Sequence, residues 1–199
     1  MTARTGRRSL LGLGALLVVV FIAVSAIMLM RASRTPSQPF PRLAAASAPA
    51  GWQHLALPDG TAVLSYPPAF SQVHGDAGSV SAAQFNAEGG YLLYLNATPK
   101  QGAENLPHWP AFRLRFLRSD DAASARLDAI ASSVRFHGGT GSCVIDDYVT
   151  KIGAHHYKEL ACLVQGHSGA SVVVAAAPAV RWVKVGPLLE RAVAAYQVR

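Results

Sequence analysis

Acidic residues are missing from the first 50 positions of this 199-residue chain, and cysteine occurs only twice in all of it. The two cysteines, at 143 and 162, lack the CxxC spacing of a redox or zinc motif. No glycine loop of the kind that cradles phosphate is present, no zinc-type cluster of Cys and His, and no internal repeat. A basic footprint for nucleic acid is missing as well. The formal charge of +7 arises almost wholly from six arginines in residues 1–50; from Gly51 onward 12 basic residues meet 11 acidic ones. A nearly neutral folded part excludes a nucleic-acid partner held by phosphate contacts. Lysine is scarce too, with 4 against 14 arginines, a coding bias that informs on source and not on function.

What the chain does have is a long apolar run. Ser9 to Met30 carries no charge over 22 residues, and as a helix it would extend ~33 Å, enough for the ~30 Å hydrocarbon core of a bilayer. Arg7-Arg8-Ser9-Leu10-Leu11 resembles a twin-arginine export signal, and Val24-Ser25-Ala26 offers a small-residue cleavage site. The run exceeds the roughly 7–15 apolar residues of a signal core and continues past that site. A retained single-pass transmembrane helix is therefore expected, with secretion after cleavage near Ala26 as the alternative. The first cysteine lies far downstream, which excludes a lipoprotein-type anchor. Arg4, Arg7 and Arg8 with the amino terminus outweigh Arg31 and Arg34, so the N-terminus is expected in the cytoplasm.

The expected organisation is a cytoplasmic N-terminus (1–8), a membrane helix (9–30), a Pro/Ala-rich linker (31–50) and one extracytoplasmic domain (51–199). The linker reading rests on four prolines and many small residues without an apolar period.

Within the domain, residues 52–57 and 61–66 flank Pro58-Asp59-Gly60 and read as a hairpin. Residues 79–87 and 91–97, joined by Glu88-Gly89-Gly90, read as a second. Pro107 and Pro110 suit a helix start, and Trp109, Phe112 and Phe116 recur at helical spacing. Arg113 falls inside that apolar stripe and needs an acid partner or room to snorkel. Ser119 with Asp120 and Asp121 in a first turn predicts another, Ala-rich helix. Gly138 to Gly141 should break the chain. Strands are expected over 142–150 and 155–165. The valine-rich run 170–177 reads as a central strand covered on both faces. Pro187 at a helix start, followed by Leu189, Ala192, Val193 and Tyr196, predicts a final amphipathic helix.

If 142–150 and 155–165 form a hairpin centred between Ile152 and Gly153, one register opposes Cys143 to Cys162, Ile145 to Leu160, Asp147 to Lys158 and Tyr148 to Tyr157. All four are favourable cross-strand pairs, although the same register sets Asp146 against Glu159. The expectation is a Cys143–Cys162 disulfide, contributing ~3 kcal/mol and implying an oxidising compartment.

Catalytic signals are incomplete. Gly166-His167-Ser168-Gly169-Ala170 approaches the G-x-S-x-G elbow, yet a strand follows it and no histidine comes later in the chain. A polar hairpin turn fits better. His155 and His156 beside Asp146 and Asp147 suggest a metal, but adjacent strand residues face opposite ways, so a solvated hairpin end is expected. Asn96-Ala97-Thr98 matches a glycosylation sequon that a bacterial chain would not normally use. No catalytic, cofactor or metal residue is assigned.

The stretch LPDGTAVLSYPPAF (57–70), the paired strands and the last helix after Arg181-Trp182 resemble domains of the Mog1/PsbP-like class. That resemblance implies an α+β fold in which an antiparallel sheet is flanked by helices, and a non-catalytic scaffold for binding or assembling other proteins. The whole chain also resembles membrane-anchored proteins of actinobacteria. The reading is a tethered binding or assembly module of the cell envelope, partnered with the membrane through 9–30 and with another envelope protein. The alternatives are a small hydrolase using Ser168 or a His/Asp site, and a purely structural envelope component.

Overall fold

The computed structural model describes residues 38–199. The segment Ser9–Met30 lies outside them, and among the described residues no helix is long and apolar enough to cross a membrane.

Residues 38–50 form neither helix nor strand, but they are not a free linker. Phe40 and Leu43 pack against the core, and the Gln38 and Ala46 amides donate to the carbonyls of Asp128 and Ala194. Two apolar anchors in a proline-rich stretch suffice to lay it on the surface, so the compact unit begins at Gln38 and not at Gly51.

Strands β1 (Gln53–Ala56) and β2 (Ala62–Tyr66) form the expected hairpin, with Gly60 at φ +72° in its turn, and β10 (Gln197–Val198) completes a three-stranded sheet. The large sheet is wholly antiparallel and has seven strands in the order β3-β4-β5-β9-β8-β7-β6. These are β3 (Ser71–Val73), β4 (Val80–Phe85), β5 (Tyr91–Pro99), β6 (Ala122–Phe136), β7 (Gly139–Thr150), β8 (His156–Gly166) and β9 (Ala170–Pro178). As its apolar run predicts, β9 lies between β5 and β8 and is buried over most of its length.

One face of the large sheet carries the main core. Leu95, Ile145, Leu160, Val173 and Ala175 meet the small sheet and helix α2 (Trp182–Ala194), which adds Leu189, Ala192 and Val193. The other face carries α1 (Trp109–Asp120), entered through a 3₁₀ turn at Leu106–His108. The domain is thus an antiparallel sheet with a helix on each face.

Two expectations fail here. The Ala-rich stretch after Ser119 is strand β6, not a helix; α1 ends at Asp120, and β6 pairs along β7 from Ala122 to Phe136. Three irregularities, near Ala122/Ser124, Leu127/Ala129 and Ala131/Val134, break its alternation. Its buried alanines 122, 125 and 129 consequently fall at helix-like intervals. The second failure concerns α2, which begins at Trp182, so Pro187 sits inside the helix and not at its start. The bond its missing N–H forgoes would have gone to the carbonyl of Val183, a residue 92% exposed, where the loss is small.

Of the glycines expected to break the chain, Gly138 does so in the tight His137–Gly138 turn between β6 and β7, whereas Gly139 and Gly141 pair within β7. Gly138 has φ +81°, and a Cβ there would stand 1.9 Å from the Val198 carbonyl oxygen. Gly138→Ala is expected to displace β10 and to cost at least about 1–3 kcal/mol, read as a lower thermal midpoint.

The β7–β8 register is the one the sequence suggests, from Cys143 opposite Cys162 to Tyr148 opposite Tyr157. Cys143 and Cys162 form a disulfide with a Cα–Cα distance of 4.1 Å, the close spacing of a non-hydrogen-bonded pair. The pairing of Asp147 with Lys158 is not an ion pair. Lys158 Nζ turns to Asp128 Oδ2 at 2.6 Å, a charge contact without hydrogen-bond alignment. Asp147 is held instead by Arg126 at 3.2 Å and His156 at 2.8 Å.

Candidate functional site: a cleft beside helix α1

Helix α1 lies over β6, β7 and β8 and leaves the same face of β9 and β5 open. Trp109 fixes it: the indole is buried against Val144, Ala161, Leu163 and Val174, and Nε1 donates to the Ala161 carbonyl at 3.1 Å. One turn on, Arg113 faces the sheet and meets Glu159 of β8. The misfit arginine of the apolar stripe therefore has the acid partner it requires.

The open face borders a cleft of about 410 Å³. Tyr94, Asn96 and Thr98 of β5 and Val172, Val174 and Ala176 of β9 form its floor, joined by Tyr148 and Glu159. Trp109, Phe112, Arg113 and Phe116 form the helical wall, and Asp76, Gln101, Glu104, Asp120 and Asp121 stand at the rim. A neighbouring cavity of about 270 Å³ shares Tyr94, Tyr148 and Ala176 and adds His74, Tyr91 and Tyr157.

The electrostatic centre is the Asp146–Glu159 pair, directly opposed across β7 and β8. Asp146 is 0% exposed and Glu159 2%. Arg113 reaches Glu159 Oε1 through Nε at 2.7 Å and Nη2 at 2.5 Å, while neither oxygen of Asp146 has a hydrogen-bond partner. Burial, and then the Glu159 charge, push the Asp146 carboxyl well above its usual range. Burial opposes the charge on Arg113, but Glu159 and Asp146 outweigh it and hold the guanidinium above its ordinary value. Burial also raises the Tyr148 phenol, with Glu159 adding to it.

Asn96 is a floor residue at mid-strand, its Nδ2 donating to Ser81 Oγ at 2.9 Å; Tyr94 bonds the same hydroxyl at 3.0 Å. His156 and Asp147 meet at the start of β8, whereas Ser168 lies in the β8–β9 turn at its other end. Ser168 and the His156–Asp147 pair are thus two separate places, at opposite ends of β8. Among the described residues no group of three His, Cys, Asp or Glu side chains could hold a metal. Sequence reasoning noted Arg113 and the Asp146–Glu159 conflict separately; only the sheet brings them into one place. The Tyr94–Tyr148 floor carried no signal, because its members come from strands far apart in the chain.

No family model matches the sequence, and none of the curated proteins matches it significantly. Among solved structures, the chain is similar to the solution structure of cyanobacterial PsbP (CyanoP) from Synechocystis sp. PCC 6803. The two share 15% identity with a TM-score of 0.53, over 76% of this chain and 95% of that one. The fold is PsbP-like. A second similar structure, the protein of unknown function PA94 from Pseudomonas aeruginosa, has 10% identity and a TM-score of 0.43 over 72% and 94% of the two chains. In this PsbP-like domain the cleft lies on the α1 face, opposite the α2 face that holds the disulfide.

Proposed function

We propose that this chain is a membrane-anchored, extracytoplasmic binding or assembly module of the cell envelope, without catalytic activity, and that its PsbP-like domain binds through the α1-side cleft. The observation that carries the reading is the cleft itself: half of one sheet face is left uncovered, and polar and aromatic side chains line it. The apolar run 9–30 supports the anchor, and a Cys143–Cys162 disulfide suits an oxidising compartment. The G-x-S-x-G-like turn at Ser168 is followed by strand β9 and by no later histidine, which supports a non-catalytic role.

The test is site-specific photocrosslinking of the full chain in its native membranes. A crosslinker replacing Phe116, a cleft residue 41% exposed, should give a reproducible adduct. One replacing Val183, on α2, should not. Equal labelling from both positions, or none from either, would refute the reading. Protease added to intact cells stripped of their wall should digest residues 38–199 if the domain lies outside the cytoplasm.

A further inference from the structure

We propose that the cavity of about 270 Å³ beside the α1 cleft takes a tyrosine- or tryptophan-type side chain of the partner protein, its ring set between tyrosines and its polar edge hydrogen-bonded. This deepens the binding reading above and rests on it. Strand order builds the cavity. β9 lies between β5 and β8, so those two strands stand two spacings apart, about 9.5 Å. The register sets Ala176 of β9 opposite Tyr94 of β5, and Pro178 opposite Tyr157 of β8, which itself opposes Tyr148 of β7. A pair of rings results on each side of β9: Tyr91 with Tyr94 at 5.8 Å, and Tyr148 with Tyr157 at 5.9 Å. Between the pairs the floor is made of small residues, Ala176 to Pro178. A ring over Ala176 would have tyrosines about 5 Å away on either side, inside the roughly 4.5–7 Å range of aromatic pairs.

The polar groups match such a side chain. Tyr94 commits its hydroxyl to Ser81 Oγ at 3.0 Å, but among the described residues nothing hydrogen-bonds the hydroxyls of Tyr91, Tyr148 or Tyr157. A tyrosine hydroxyl or an indole N–H brings the partner atom they lack. Charge points to a neutral occupant: Asp76, Asp120 and Asp121 at the adjoining rim repel an anion, and Arg113 is already paired with Glu159. Size separates a side chain from a free small molecule. The volume of about 270 Å³ falls below the roughly 300–1,000 Å³ of small-molecule pockets. Aromatic surface also continues outside the cavity, where Tyr91 is 48% exposed and Phe85, packed on it at 5.1 Å, is 40% exposed. Exposed rings around a ring-sized cavity are what a protein partner's aromatic anchor needs, since such anchors fill pockets and pair with aromatic neighbours.

Amide NMR spectra of the full chain in detergent micelles test this with N-acetyl-tyrosinamide. The signals of Tyr94, Tyr157 and Ala176 should shift and saturate with a Kd on the order of 1 mM. N-acetyl-cyclohexylalaninamide, of similar bulk but not planar, should bind about 5-fold more weakly. Tyr148→Phe combined with Tyr157→Phe keeps both rings; it should weaken the tyrosine probe about 5-fold and leave N-acetyl-phenylalaninamide unchanged. Ala176→Leu, checked for native near-ultraviolet circular dichroism, should abolish binding of all three probes. In native membranes it should also abolish the protein adduct of the Phe116 crosslinker. Equal affinity for planar and non-planar probes, shifts remote from the cavity, or no binding by a natively folded protein would each overturn the proposal. So would a Phe116 adduct that survives Ala176→Leu, because the ring would then be a free small molecule and not the partner's. The two levels separate in the parent protein: if the adduct forms while the probes fail, the side-chain class is wrong and the binding site stands. If both fail, the binding reading falls too.

Discussion

Replacing Arg113 with methionine is expected to lower folding stability by about 3–5 kcal/mol, the usual consequence of removing one partner from a buried ion pair. Methionine keeps the bulk of the arginine stem, so packing of α1 changes little and the loss is electrostatic. Glu159 would be left 2% exposed without its counter-ion, directly across from the buried Asp146. Urea unfolding at pH 7 should show a lower midpoint with an unchanged slope, since the surface exposed on unfolding is nearly the same. A midpoint equal to that of the parent protein would mean that Arg113 and Glu159 are solvated and contribute nothing.

Asp146→Asn probes the same cluster with the opposite sign. The Asp146 carboxyl titrates well above its unfolded value of 3.8, so the folded state holds a proton that the unfolded state gives up. Stability from this group is complete below the unfolded value and is lost as the pH rises from there toward the folded value. Asparagine has nothing to lose over that window. The variant's stability relative to the parent should therefore increase steadily from about pH 4 upward. A pH-independent difference would place the buried proton elsewhere.

The second large effect is expected at the disulfide. Replacing Cys143 and Cys162 together by alanine should cost about 3 kcal/mol from restored loop entropy, since the bridge closes a loop 19 residues in sequence separation. For a domain of this size that corresponds to a thermal midpoint lower by roughly 6–12 °C. Both cysteines are fully buried between β7 and β8 in the main core, and the lost sulfur volume adds to the cost. Reduction of the parent protein should reproduce only the entropic part. A double variant as stable as the parent would show that the β7–β8 ladder alone fixes this hairpin.

The hairpin illustrates what was legible in the chain. Its centre, its register and even its awkward Asp146–Glu159 pair follow from one alignment of two short segments, because strand pairing across a tight turn is a local event. The stripe of α1 and its misfit Arg113 were legible for the same reason, and so were the buried positions Leu189, Ala192, Val193 and Tyr196. Strand β6 was not. Its residues favour a helix by composition, and three irregularities spread its buried alanines to intervals of three and four. Only the presence of β7 as a pairing partner overrides that preference.

By itself, the sequence determined the apolar segment near the N-terminus, the near-neutral charge of residues 51–199, the PsbP-like pattern of turns and strands, and which cysteines could meet. Tertiary structure alone decided the cleft. Tyr94, Glu159 and Val174 are far apart in the chain, and they share a floor because β5, β9 and β8 lie side by side in an order unlike their order in sequence. It also decided that Arg113 would find Glu159 and leave Asp146 without a partner. The rotation of α1 over the sheet gives the arginine reach to one carboxylate of the pair, and no local pattern encodes that rotation.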